Sequence, residues 1–209
     1  MKEFWKKVLL HLGVIVTVIA ILAIAAFILV KIVGNSNPQT DVKAPVTGVK
    51  VVTEPMSFYD GGEKIEGMVY RLSTAEKGHP GVIYCQDTEY GDRWCREMAA
   101  KGYIAYSFEL GEGEKERVSR VQKVIDKIRD NRFTDKKSVY LLAEGNGCPV
   151  ACMAAFDNPD KLAGLILLSP GFNPFDVYRK AKRFRKPILV VDTSLGISKN
   201  VEEIASYIK

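Results

Sequence analysis

Ser138-Val-Tyr-Leu-Leu-Ala-Glu-Gly-Asn-Gly-Cys148 is the stretch around which this chain is organised. Residues 139–142 form a short apolar run suited to a buried strand. Small residues follow at 143–147, and the sequence from Gly147 to Asp157 then reads as a helix. A strand passed into a helix through so tight a turn puts its middle residue, Gly145, at the top of the bend.

On either side of this unit the pattern alternates. Residues 49–53 with 56–59, and then 64–72, are strand-like and are joined by the hairpin signal Asp60-Gly61-Gly62. A buried strand is expected at 81–85, a helix at 93–101 ending at Gly102, and a strand at 104–110. Val118, Val121, Ile125 and Ile128 then recur on the 3.6-residue period of a helix. Beyond the central unit come strands at 163–168 and 188–191, separated by a short irregular segment, and a final helix at 201–208. Antiparallel strands followed by repeated β-α units predict an α/β fold: a mostly parallel sheet with helices on both faces.

The amino-terminal end differs in kind. From Leu12 to Val30 no residue is charged, and the apolar run reaches back to Val8. At about 1.5 Å per helical residue it matches a hydrocarbon core of roughly 30 Å. It is too long for the apolar region of a cleaved leader and no clear cleavage site follows it. The expected organisation is a basic flank at 1–7, a transmembrane signal anchor at 8–33, a polar linker at 34–45 and a globular domain at 46–209. Lys2, Lys6 and Lys7 precede the span and Lys31 follows it. This bias favours a single-pass protein with a cytoplasmic amino terminus and an extracytoplasmic domain.

The formal charge of +5 over 209 residues is carried largely by that end. Lys2, Lys6, Lys7 and Lys31 against Glu3 account for +3, which leaves +2 for the remainder and no nucleic-acid footprint. The four cysteines, Cys85, Cys95, Cys148 and Cys152, lack metal-finger spacing. They read as small buried hydrophobes. Half a metal site at Cys148 and Cys152, or a disulfide from Cys85 to either, stays open.

From the elements to the motifs, the chain resembles the α/β-hydrolase superfamily over nearly all of 46–209. Ala143-Glu-Gly-Asn-Gly147 is similar to the nucleophile elbow G-x-S-x-G. Pro80-Gly-Val-Ile-Tyr-Cys-Gln-Asp87 resembles the strand that runs into the oxyanion-hole loop, with Cys85 and Gln86 in the places of its His-Gly. Trp94, Met98, Ala99 and Ala100-Lys-Gly-Tyr103 resemble the helix and turn that follow. Tyr106-Ser-Phe-Glu-Leu-Gly-Glu-Gly113 is like the D-x-x-G-x-G ending, with Glu109 for the aspartate. Asn158-Pro-Asp-Lys-Leu-Ala-Gly-Leu-Ile-Leu-Leu-Ser-Pro170 and Lys186-Pro-Ile-Leu-Val-Val191 resemble the last strands before the triad acid.

The resemblance implies a serine, an imidazole and a carboxylate acting in relay. None of the three is where it implies. Gly145 occupies the nucleophile position, and Gly196 the acid position, with Asp192 nearer the strand end. Of only two histidines, His11 lies in the apolar run and His79 at the opposite end of the sheet. The chain stops at Lys209 after one helix, so the sheet is expected to be truncated at its carboxyl-terminal side. Ser169, Ser194 and Ser198 read as turn or cap residues.

Ligands of parallel sheets sit outside the carboxyl ends of the strands, where Asp87, Glu89, Glu109, Glu144 and Asp192 are expected. These are read as solvated loop charges, with a cation site as the alternative. Gly145-Asn-Gly147 before a helix could hold an anion. The dinucleotide fingerprint fails at Val150, and no phosphate-loop Gly-Lys-Ser/Thr occurs. The expected function is that of a membrane-anchored pseudo-hydrolase that binds a small ligand or a protein partner. Its binding candidates are Cys85, Gln86, Asp87, Glu109, Glu144, Asn146, Cys148 and Asp192, with no metal and no cofactor. The alternative is a divergent hydrolase using Cys85 or Cys148 with nearby carboxylates.

Overall fold

The computed structural model describes residues 50–60, 62–86 and 90–208. The expected anchor at 8–33, its basic flank and the linker lie outside the described residues. Among those described, no helix is long and apolar enough to cross a membrane.

The strands are β1 (Val51–Asp60), β2 (Glu63–Leu72), β3 (His79–Cys85), β4 (Ile104–Phe108), β5 (Thr134–Glu144), β6 (Gly164–Leu168) and β7 (Ile188–Val191). They form one seven-stranded sheet in the order β1-β2-β4-β3-β5-β6-β7. β1, β2 and β4 pair antiparallel, and the sheet from β4 to β7 is parallel. The helices are α1 (Tyr90–Ala100), α2 (Glu114–Arg129), α3 (Gly147–Asp157) and α4 (Ile197–Tyr207), with one helical turn at Pro174–Val177.

Each face of the sheet has its own apolar layer because strand side chains alternate. Ile83, Leu141 and Leu165 face α2 and α3 and meet Val121, Val124, Ala151 and Ala155. Val82, Tyr84, Leu142 and Ile166 face α1 and α4 and meet Trp94, Met98, Val201 and Ile204. The inner parallel strands are closed to water on both sides, which is why β6 reads Gly-Leu-Ile-Leu-Leu with every residue buried, whereas Val190 on the edge strand β7 is exposed.

Three expectations need adjusting. The two strand pieces expected at 49–53 and 56–59 are one strand, β1, which runs through Pro55 opposite Met68. Proline is tolerated there because β1 is an edge strand whose outer N–H groups need no partner. The helix expected from Arg93 already starts at Tyr90. The helix expected from Val201 starts at Ile197, directly after Gly196 at φ +85°.

Candidate functional site

The bend between β5 and α3 is built as its sequence suggests. Gly145 sits at φ +50°, a conformation that strains side-chain-bearing residues. Its N–H points to the Leu168 carbonyl at 3.4 Å, and its carbonyl accepts the Cys148 N–H at 3.1 Å. A Cβ at Gly145 would meet only Gln86 Nε2, at 3.9 Å, so the space above the bend is open. Gly147 is the opposite case. A Cβ there would lie 1.8 Å from the Cys85 carbonyl oxygen, far inside contact distance, so the first turn of α3 packs onto the end of β3 only as glycine.

Glu144, next to the bend, is already engaged. One of its carboxylate oxygens accepts hydrogen bonds from Tyr84 Oη at 3.0 Å and Trp94 Nε1 at 3.2 Å. It ties β5 to β3 and α1. Sequence reading missed these two donors, although buried tyrosine and tryptophan near a strand's carboxyl end are residues that need a polar partner.

Cys85, Cys148 and Cys152 lie in the apolar layer under α2 and α3, and Cys95 lies on α1 in the opposite layer. Cys85 and Cys148 are fully buried, and the Cys148 thiol faces the Ala143 and Leu168 carbonyls at 3.4 and 3.8 Å. Burial pushes the Cys148 and Cys152 thiols up to about 12, and the Cys85 thiol up as well. All four cysteines are free thiols in this structure. Among the described residues no group of three or more His, Cys, Asp and Glu side chains is placed to hold a metal ion, so Cys148 and Cys152 gain no third ligand there. Cysteine nucleophilicity requires an accessible thiolate, and these positions oppose one.

The remaining candidates do not converge. Asp192 is exposed and caps the turn Thr193–Leu195 by accepting the Ser194 N–H at 3.0 Å. Gly196 is exposed, and nothing lies within 4 Å of a Cβ added there. Asn146 is exposed at the start of α3 and makes no side-chain cap. Ser169, at φ +44°, shares a hydrogen bond with Thr193 Oγ1 at 2.9 Å. His79 Nδ1 donates to the Gly102 carbonyl, 2.9 Å away, at the far end of the sheet. Asp87 and Glu89 lie outside the described residues.

What does form is a cavity of about 510 Å³ walled by β1, β2, the carboxyl ends of β3 and β4 and the start of α1, which reaches the bend only through Gln86. Gln86 lines it, together with Tyr70, Ser107, Asp92, Glu66 and Glu109. Tyr70 Oη and Ser107 Oγ are 3.4 Å apart, and burial raises the Tyr70 phenol to about 12. Gln86 Oε1 is buried without a hydrogen-bond partner. Gln86 and Glu109 were candidates from the sequence; Tyr70, Ser107, Asp92 and Glu66 were not, because β2 and β4 bring them together from distant positions. A larger cavity, of about 580 Å³, lies on the helical face between α2, α3 and residues 177–180, away from the bend.

No family model and no curated protein matches the chain. Solved structures do. A putative dienelactone hydrolase from Klebsiella pneumoniae aligns with TM-score 0.56 at 17% identity, over 75% of this chain and 82% of that one. Est1E from Butyrivibrio proteoclasticus aligns with TM-score 0.55 at 13% identity, over 74% and 96%. An esterase from Rhizomucor miehei aligns with TM-score 0.53 at 10% identity, over 58% of this chain but only 44% of its own. The chain thus spans less than half the length of the last. At these identities the likeness is one of fold, and the fold is that of the α/β-hydrolases.

Proposed function

We propose that this protein is a membrane-anchored pseudo-hydrolase, which uses the α/β-hydrolase frame to bind a small ligand or a partner without cleaving it. The observation that carries this reading is Gly145. The strained bend is present, the space above it is open, and no side chain occupies it. The cavity beside it offers an unpaired amide oxygen on Gln86, a Tyr70–Ser107 hydroxyl pair and an acidic rim. Such a lining suits a ligand with hydrogen-bond donors. Anchoring is supported by the uncharged run from Leu12 to Val30. The alternative, a cysteine hydrolase, is disfavoured by the burial and raised pKa of Cys85 and Cys148.

The test uses the full chain in nanodiscs, a fluorophosphonate probe and a panel of p-nitrophenyl esters. We expect no covalent labelling and no turnover above a heat-inactivated control. Turnover that disappears in Cys85→Ala or Cys148→Ala would establish the hydrolase instead.

A further inference from the structure

The ends of the sheet differ in charge as well as in chemistry. The cavity lies at the carboxyl ends of the strands and is rimmed by Glu66, Asp92 and Glu109, of which Glu66 pairs with Lys64 and Asp92 with Arg96. At the amino-terminal ends, residues 179–186 read Arg-Lys-Ala-Lys-Arg-Phe-Arg-Lys, without an acid. Ala181 and Phe184 are buried, and Phe184 is held by the Phe156 ring at 5.4 Å between centroids. These two pins turn the basic side chains outward, and all of them are exposed. The run leads directly into β7, where the Pro187 carbonyl accepts the Leu165 N–H.

The neighbouring positions add to it. Arg132 is exposed before β5, with its guanidinium 4.6 Å from the centre of the Phe133 ring, and Lys137 is exposed in the first part of β5. The acids on the last turns of α2 and α3 are already matched: Asp126 with Lys161, Asp130 with Lys136, and Asp157 with Lys180. Lys182, Arg183, Arg185 and Lys186 have no ion-pair partner among the described residues. Cations are also favoured here because helices alternating with parallel strands end at this pole, and helix carboxyl termini carry partial negative charge.

The path of the chain supplies the second observation. β1 pairs antiparallel with β2, and β2 with β4, so β1 runs in the direction of the parallel strands. Its first residue, Val51, lies opposite Leu72, beyond the start of β4. The chain therefore enters the sheet at the same end as the basic run, at the β1 edge, while that run precedes β7 at the other edge.

We propose that this pole is a lipid-headgroup surface, with Arg132, Lys137 and the basic residues of 179–186 lying against anionic phosphates of the bilayer. The proposal rests on the anchored reading given above. It deepens that reading by naming the face of the domain that meets the bilayer, the end of the sheet opposite the cavity. Basic residues near an anionic bilayer each strengthen association by about fivefold, and salt screens the effect.

The full chain is incubated with phosphatidylcholine vesicles and with vesicles that also contain phosphatidylglycerol. Flotation is followed by amide hydrogen exchange of 179–187. Flotation with neutral vesicles that survives high salt reports the anchor alone. The proposed surface predicts several-fold slower exchange of 179–187 with phosphatidylglycerol present. That protection is lost in high salt, and in a variant carrying Lys182→Glu, Arg183→Glu, Arg185→Glu and Lys186→Glu. If neutral vesicles fail to float the chain but anionic vesicles bind it with this salt and charge dependence, the surface stands and the anchor falls. Equal exchange in both lipids, an unchanged response of the variant, or equal protection by a DNA duplex would overturn the surface, whatever the anchor does.

Discussion

Gly145 and Gly147 stand two residues apart and are glycine for different reasons. At Gly147 the constraint is contact with the Cys85 carbonyl. Gly147→Ala is expected to push α3 off β3 and to destabilise the domain by about 1–3 kcal/mol or more, read from chemical denaturation. At Gly145 the constraint is backbone conformation alone, since the space above is open. Gly145→Ser is expected to fold, at a cost of about 1–2 kcal/mol for the left-handed geometry, and to remain inactive toward p-nitrophenyl esters. A hydroxyl alone has no base to take its proton, and His79 is held at the opposite end of the sheet. Glu144 is a third kind of residue, an acceptor for two buried donors. Glu144→Leu removes the acceptor of the Tyr84 Oη and Trp94 Nε1 hydrogen bonds and is expected to cost about 1–3 kcal/mol, with a changed Trp94 fluorescence environment.

Among the elements, α4 carries an internal conflict. Asn200 is 1% exposed, and both of its amide atoms lack a partner. It sits between Val201 and the start of the helix, where the face against β6 and β7 is otherwise apolar. Asn200→Leu removes two buried orphans and is expected to leave stability unchanged or to raise it by about 1 kcal/mol, as a higher Tm. A drop in Tm would show that the amide has a role the apolar side chain cannot fill. The 3.6-residue stripe of α2 and the alternation of the strands were legible because each element repeats one environment along its length. The continuity of β1 through Pro55 was not, because whether proline breaks a strand depends on whether that strand lies at an edge.

For the molecule as a whole, alkaline pH is the sharpest probe of the core. Cys148 and Cys152 are raised from 9.0 to about 12, and Tyr70 and Tyr207 from 10.0 to about 12, in each case chiefly by burial. Their folded values lie above the unfolded ones. The stability they contribute is therefore complete below about pH 9 and is lost as pH rises through 12. Thermal melts are expected to hold steady to about pH 9 and then fall, and thiol alkylation at pH 8 is expected to require unfolding. Rapid alkylation of Cys148 in the native protein would contradict its placement.

The fold was legible in order and kind because the motifs from Pro80 to Val191 each record a local demand: a strand closed on both faces, a turn that needs glycine, a helix that ends at Gly102. The absence of a serine at the bend was equally plain, since it concerns the identity of one residue at one place. Tertiary structure alone decided what surrounds that place. It buried Cys85 and Cys148, which the sequence could only bring near the bend. It joined Gln86 to Tyr70 and Ser107 across three strands, and it gathered cations from separate segments at the end opposite the cavity. Sequence records what each residue demands of its neighbours along the chain; burial, charge pairing and the pooling of side chains from distant strands exist only once the sheet has closed.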